Sequence, residues 1–196
     1  MVLEFWNRYR KFIVVTKMNR ILLLLLLTFI LTNCRKDKGL FENDNLTLLR
    51  SNYLGTQLRV DGYYYTEANG DVFSSSFFYR NGVLLYSGGA KDSIEAMDSY
   101  IKKEFVDEQG FKESSFFWGI LLIENTSVKF ELFYPSSGGP INAYVSQGVI
   151  LSDTTFLIQG SYRNQDGKVT DFREENRMFY FRQFSPKPDS TNSFVP

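Results

Sequence analysis

The side chains that carry most enzymatic chemistry near neutral pH are almost missing from this 196-residue chain, which has no histidine and one cysteine, Cys34. Without histidine or a second thiol there can be no Ser-His-Asp triad, Cys-His dyad, HExxH zinc site or thiolate metal site. What survives is chemistry that runs on oxygen and amine groups: a carboxylate pair for glycoside hydrolysis, a Ser-Lys pair, or an all-oxygen calcium site. No spacing among the acids singles out such a pair. Arg59 and Asp61 stand two apart on one face of a predicted strand, and Glu104, Asp107 and Glu108 cluster at the end of a predicted helix. Solvated surface charge accounts for both groups. Ser136-Ser137-Gly138-Gly139-Pro140 is glycine-rich but has no strand-to-helix context, so it reads as a loop rather than a phosphate cradle. The sequence therefore predicts a protein that is not an enzyme, with no catalytic residue, metal or cofactor.

The other functional candidates are aromatic. Among 19 Phe, 12 Tyr and 2 Trp, the residues Tyr63, Tyr65, Phe78, Trp118, Phe130 and Tyr180 are the ones expected to line a cavity for a small apolar or amphipathic ligand. The competing reading is that they simply build the wall and core of a small β protein.

Cys34 ends a recognisable segment. Arg20 supplies a basic head, Ile21 to Leu31 an apolar run of eleven residues, and Leu31-Thr32-Asn33-Cys34 resembles a lipobox, with Asn33 where Gly, Ala or Ser is usual. The run falls short of the roughly 20 residues that span a bilayer. Its six consecutive leucines also leave no polar face for a core helix. Residues 1–33 are thus expected to be a lipoprotein signal peptide and Cys34 the lipidated residue. Met18 is the better start, which makes residues 1–17 either an upstream extension or a long basic head.

Residues 34–47 read as the lipidated cysteine and a flexible tether, 48–185 as the folded domain and 186–196 as a disordered tail. Residues 1–33 hold five basic groups and one acid, so the mature chain keeps 17 basic and 21 acidic residues. That mild acidity gives no basic patch for a nucleic acid backbone. Arg35 follows the cysteine where an Asp would mark inner-membrane retention, so the expected location is the outer membrane, facing the periplasm or the cell surface. The membrane is met through the lipid on Cys34.

The elements that must position any site are strands. Thr56–Thr66, Val72–Arg80, Val83–Ser87, Phe116–Glu124, Ser127–Tyr134, Ala143–Leu151, Thr154–Tyr162 and Arg177–Phe184 are rich in aromatic and β-branched residues. Asn69-Gly70, Asn81-Gly82 and Asp166-Gly167 between them suit tight hairpin turns. Val128, Phe130, Leu132 and Tyr134 alternate with Ser127, Lys129, Glu131 and Phe133, and Phe156, Ile158, Gly160 and Tyr162 alternate with Thr155, Leu157, Gln159 and Ser161. One amphipathic helix is predicted over Ser93–Val106, with Asp92 as N-cap, Glu95 as its capping-box partner and Gly110 as terminator. Eight consecutive antiparallel strands imply a mainly β, up-and-down barrel, whose interior either fills with side chains or holds one small ligand.

The chain resembles lipocalin-like proteins, in particular small lipoproteins of Bacteroidetes, through Leu58-Arg59-Val60-Asp61-Gly62-Tyr63-Tyr64-Tyr65, Phe78-Tyr79-Arg80-Asn81-Gly82-Val83 and Trp118-Gly119. Lipocalins carry Gly-x-Trp on the first strand, where this chain has Gly55-Thr56-Gln57, and an Arg near the end that would correspond to Arg177 or Arg182. The resemblance implies an envelope protein that takes a small hydrophobic or amphipathic ligand in the barrel. The alternative is a structural or accessory lipoprotein with a solid barrel core that docks on an envelope protein partner. The anchor has its own test: Cys34→Ala should leave the precursor uncleaved and free of acyl chains when cells are fed labelled fatty acid. Continued labelling would place the anchor elsewhere.

Overall fold

Aromatic and β-branched runs separated by Gly, Asn and Asp fold as eight antiparallel strands. These are β1 (Gly62–Ala68), β2 (Asp71–Phe78), β3 (Val83–Tyr86), β4 (Trp118–Glu124), β5 (Ser127–Pro135), β6 (Ile141–Ser152), β7 (Thr155–Gln165) and β8 (Lys168–Gln183). They pair in sequence order, and β1 closes on β8 from Gly62↔Gln183 to Tyr65↔Tyr180, so the sheet is a closed barrel with no free edge. This is the up-and-down, lipocalin-like barrel that the sequence predicts. A computed structural model describes residues 45–68, 71–135, 141–165 and 167–195. Cys34, the signal segment, the start of the tether, the Asn69-Gly70 turn, Asp166 and the loop 136–140 lie outside the described residues.

The strand ends differ from expectation. β1 begins at Gly62 rather than Thr56, because the residues before it turn across one end of the barrel. The Tyr53 hydroxyl accepts the Leu58 N–H at 2.7 Å, Arg59 N–H donates to the Asp153 carbonyl at 2.9 Å, and Leu58 is buried in the barrel's interior cluster. This closes the end that carries the β2–β3, β4–β5 and β6–β7 turns. At the first of these turns Gly82 has φ +75°, and a Cβ there would strike the Ser51 carbonyl. β8 is longer than expected, beginning at Lys168 rather than Arg177.

Two apolar layers follow from the strand period. Inward-facing Tyr64, Phe78, Leu84, Leu121, Val128, Phe130, Leu132, Phe156, Ile158 and Phe179 form one buried cluster, which bears out the alternation along β5. Outward-facing Tyr63, Phe77, Val83, Leu85, Trp118 and Ile120 belong to a second cluster that needs a cover. Helix α1 (Ile94–Ile101) supplies it with Met97 and Ile101, and the π-turn Lys102–Asp107 that continues the helix adds Phe105. The helix lies on the wall, where Asp98 accepts hydrogen bonds from the Tyr63 hydroxyl at 2.7 Å and from Arg182 at 2.8 Å. Its N-cap is Ser93, not Asp92: Ser93 Oγ accepts the Ala96 N–H at 3.2 Å. After the π-turn the left-handed position falls on Gln109, at φ 56°, rather than on Gly110.

The segment expected to be a disordered tail packs on the barrel over its described residues. Lys187 Nζ donates to the Val60 and Phe78 carbonyls, both at 2.6 Å, and sits 3.9 Å from the centre of the Tyr79 ring. Burial draws its pKa down to about 8. The Tyr79 hydroxyl donates to the Pro188 carbonyl at 2.8 Å, and Val195 reaches the outer cluster. Composition alone suggests a solvated tail, but Lys187 finds two backbone partners on the barrel side and the Tyr79 hydroxyl finds one on the tail.

On the incoming side, residues expected to be tether are also held. The carboxylate of Glu131, which is 0% exposed, accepts hydrogen bonds from Thr47 N–H (2.6 Å), Leu48 N–H (2.7 Å) and Thr47 Oγ1 (2.9 Å). Each bond to an ionised carboxylate is worth more than a neutral one. Glu131→Ala removes all three, and the expected cost is about 2–4 kcal/mol in urea unfolding. A change within about 0.5 kcal/mol, the range of an ordinary surface substitution, would show that this strap does not contribute to stability.

The tail also carries an acid-sensitive link. Lys112 Nζ lies 2.6 Å from Asp189 and, through their hydrogen bond, holds that carboxyl down at about 2 against an ordinary 3.8. A carboxyl lowered on folding stabilises above its unfolded pKa and loses that contribution as pH falls through the folded one. The loss therefore spans pH 4 to 2, and is modest because 59% of the Asp189 side chain is exposed. Asp189→Asn should flatten the pH dependence of the melting temperature in that window; an unchanged slope would show that the pair contributes nothing.

Candidate functional site

The barrel interior is divided along its axis. Toward the end closed by Leu58 it is filled by rings: Phe156 stacks on Phe179 at 4.7 Å with 7° between planes, Tyr64 packs on Phe78 at 5.0 Å, and Phe130 meets Phe179 at 6.0 Å. Toward the other end the inward positions turn small and polar, with Thr66, Ser74, Ser76, Ser146 and Ser161 all buried. There the side chains leave a chamber of about 350 Å³ lined by Tyr134, Tyr144, Ser146, Ser161, Arg173, Glu175 and Arg177.

Each lining residue is placed by strand register. Across the β5–β6 ladder Ser146 pairs with Phe130 and Tyr144 with Leu132, so both share the inward face of β5. Ser161 of β7 pairs with Ser146 on one side and Arg173 on the other, and Arg177 pairs with Ile158. Glu175 lies between Arg173 and Arg177 at period two. Phe130 thus marks the floor where apolar packing stops.

Inside the chamber Glu175 is held from both sides. Its Oε1 accepts the Ser161 hydroxyl at 2.5 Å and its Oε2 accepts Arg177 Nε at 2.5 Å. At the rim Asp171 accepts the Tyr144 hydroxyl at 2.5 Å and Arg173 at 2.7 Å, and the Arg173 guanidinium lies 5.1 Å over the Tyr144 ring. Hydrogen bonds from Tyr144 and then Arg173 hold the Asp171 carboxyl below its usual range. Tyr134 and Tyr144 meet edge to face at 5.9 Å.

Two hydroxyls remain for a ligand. Ser146 is 1% exposed and its Oγ makes no hydrogen bond among the described residues. It lies close enough to the Tyr134 hydroxyl to affect its ionisation without completing a bond. Tyr134 has accessible surface where it lines the chamber, yet protein surrounds its hydroxyl, and that burial raises its pKa and keeps it a protonated donor; Arg177 opposes part of the rise.

The six aromatic residues expected to line a ligand cavity do not come together at this chamber. Phe78 and Phe130 face inward but fill the closed half. Tyr63 and Trp118 belong to the outer cluster under the helix, with Trp118 Nε1 donating to the Lys112 carbonyl at 2.7 Å. Tyr65 packs at the border of that cluster, and Tyr180 is exposed on the outer wall. Of the two arginines that the lipocalin resemblance offered, Arg177 lies in the chamber and Arg182 outside on Asp98. Arg59 and Asp61 do form an ion pair, at 2.5 Å on the exposed surface.

Arg173 and Glu175 lie outside the strands that the sequence predicts, because the last strand is expected to begin at Arg177. Extending it backward displays Arg173-x-Glu175-x-Arg177, three charges at period two on the face that continues through Phe179 and Phe181. That pattern is the signal for an inward polar cluster. Elsewhere, a groove of about 650 Å³ runs between the tail and the segment from Gln109 to Glu113, where Lys112 and Asp189 pair with each other. Among the described residues no group of three or more His, Cys, Asp or Glu side chains is placed to hold a metal ion. Comparison with protein-family models, curated proteins and solved structures found no match to this chain.

Proposed function

We propose that this protein is a lipid-anchored envelope binding protein, tethered through Cys34 to the outer membrane, that holds a small polar ligand in the half-barrel chamber. The observation that supports it most directly is the buried Ser146 hydroxyl without a hydrogen-bond partner, in a chamber whose carboxylate is held by Ser161 and Arg177. Buried polar groups in native proteins are nearly always satisfied, and an exception calls for a water or a ligand. The chamber's volume lies at the small end of the range for ligand pockets.

This departs from the apolar or amphipathic ligand that the sequence suggested, because the apolar half of the interior is already filled by its own rings. It also favours holding over hydrolysis. Glu175 is the one carboxylate among the lining residues, and both its oxygens already accept hydrogen bonds, which disfavours the pair of acting carboxylates that glycoside cleavage needs.

Native mass spectrometry of the protein purified from its own host tests the reading. The expected result is a small-molecule adduct lost on denaturation and absent from Ser146→Phe, whose ring would occupy the chamber while circular dichroism stays β-rich. An adduct that persists in Ser146→Phe would place the ligand elsewhere. No adduct on the wild-type protein, with an envelope protein copurifying instead, would move the reading to an accessory scaffold.

A further inference from the structure

Resting on the chamber as a binding site, we propose that its ligand is a small carboxylate and that the guanidinium of Arg177 is the group that reads it. The argument is a balance of donors and acceptors. The fixed acceptors are occupied: Glu175 takes Ser161 on one oxygen and Arg177 Nε on the other, and Asp171 at the rim takes Tyr144 and Arg173. What faces the chamber unmatched is donor capacity. Arg177 is fixed through Nε, its Nη groups point past the Tyr134 oxygen into the chamber, and the Ser146 hydroxyl and the proton of the Tyr134 hydroxyl add to them. A ligand must therefore bring acceptors.

The shape of the donor set narrows the class. Two parallel N–H groups on a planar guanidinium match two oxygens of a carboxylate or of a phosphate, so charge has to choose between them. Arg173 does not compete for this role, because its Nε and Nη2 both go to Asp171 and 60% of its side chain is exposed. Glu175 and Ser161 are positioning residues: their bonds fix the guanidinium plane before a ligand arrives, so little side-chain freedom is lost on binding. The rings of Tyr134 and Tyr144, which meet edge to face, offer apolar contact for the body of the ligand. Arg173, Arg177, Glu175 and Asp171 sum to zero, which leaves no surplus positive charge for a doubly charged anion and favours a carboxylate.

The experiment is titration of the folded mature domain, by ligand-observed NMR and calorimetry, with two matched pairs: benzoate against benzamide, and glucuronate against glucose. Inorganic phosphate is a third anion, which a guanidinium also grips but which carries a second charge. Expected is binding of at least one carboxylate with its neutral partner weaker by about ten- to a hundredfold, the range for losing a charged hydrogen-bonded pair. Phosphate should compete poorly. Arg177→Gln should bring the carboxylate to the level of its neutral partner, while Arg177→Lys, which keeps the charge but not the fork, recovers only part of the preference. Because Arg177→Gln leaves Glu175 without its partner, Arg177→Gln with Glu175→Gln is the control for a folding defect. Equal binding within both pairs would overturn the carboxylate assignment and leave the polar binding site standing. Binding of none of the carboxylates at millimolar concentration would overturn it too, and the native-mass measurement then decides the chamber separately.

Discussion

A closed barrel obliges every strand to send alternate side chains inward, and the character of this interior turns on one place where that alternation is broken. In β7, Ile158 pairs with Gly148 and Gly160 with Gln147, leaving Gln159 without a partner on β6. The bulge shifts the strand's parity by one. Before it Phe156 and Ile158 face the core; after it Ser161 does, and Tyr162 turns outward toward Glu131. A regular strand would have carried Gly160 and Tyr162 inside and put the Ser161 hydroxyl, which fixes Glu175, on the outer surface. Gly160 suits the position because the Phe172 ring lies where a Cβ would point, at 2.9 Å. The chamber exists because the strand slips there.

The outer wall imposes a second requirement. β1 to β4 are apolar on both faces, so closing the sheet satisfies its backbone but leaves a row of aromatic side chains in water. The helix, the tail and the strap of residues 45–48 lie over that wall, and each is pinned by a polar bond at its edge: Asp98 to Tyr63 and Arg182, Lys187 to two carbonyls, Glu131 to Thr47 and Leu48. Burial of each large side chain contributes about 1.5–3 kcal/mol. The polar pins choose which surface is covered. In a domain without a disulfide among its described residues, this second layer does the work that crosslinks do in many secreted proteins.

How much of this is legible in the sequence depends on whether the cause is local. Hairpin dipeptides such as Asn81-Gly82, the period-two run along β5 and the helical stripe of Met97, Ile101 and Phe105 are local, and they give the barrel and its helix. The N-cap is Ser93 and not Asp92; both residue types are good caps, so nothing local chooses between them. The tail composition is that of a solvated segment, and only tertiary partners on Val60, Phe78 and Tyr79 order it. The reach of β8 back to Lys168 is set by pairing with β7, since its own residues from Lys168 to Asn176 are mostly polar and have little strand preference. With that stretch unrecognised as strand, the inward charges of Arg173 and Glu175 had no face to be assigned to, and the aromatic residues drew attention instead.

Those inward charges also decide what the chamber can hold. A space of about 350 Å³ with two guanidinium groups, a carboxylate and four hydroxyls along its wall is a place for water when no ligand is there. An apolar ligand would displace that water and offer nothing in its place, and each polar group stripped of its partner costs about 1–3 kcal/mol, more where it is charged. The hydrophobic gain from a molecule this small is comparable to that penalty. A ligand that presents oxygen atoms to Arg177, Ser146 and Tyr134 replaces the bonds it removes, so its contact with the tyrosine rings adds to affinity instead of offsetting a loss. The rings that could have lined an apolar site lie at the end closed by Leu58, where they stabilise the fold, and the polar inward positions lie toward the other end.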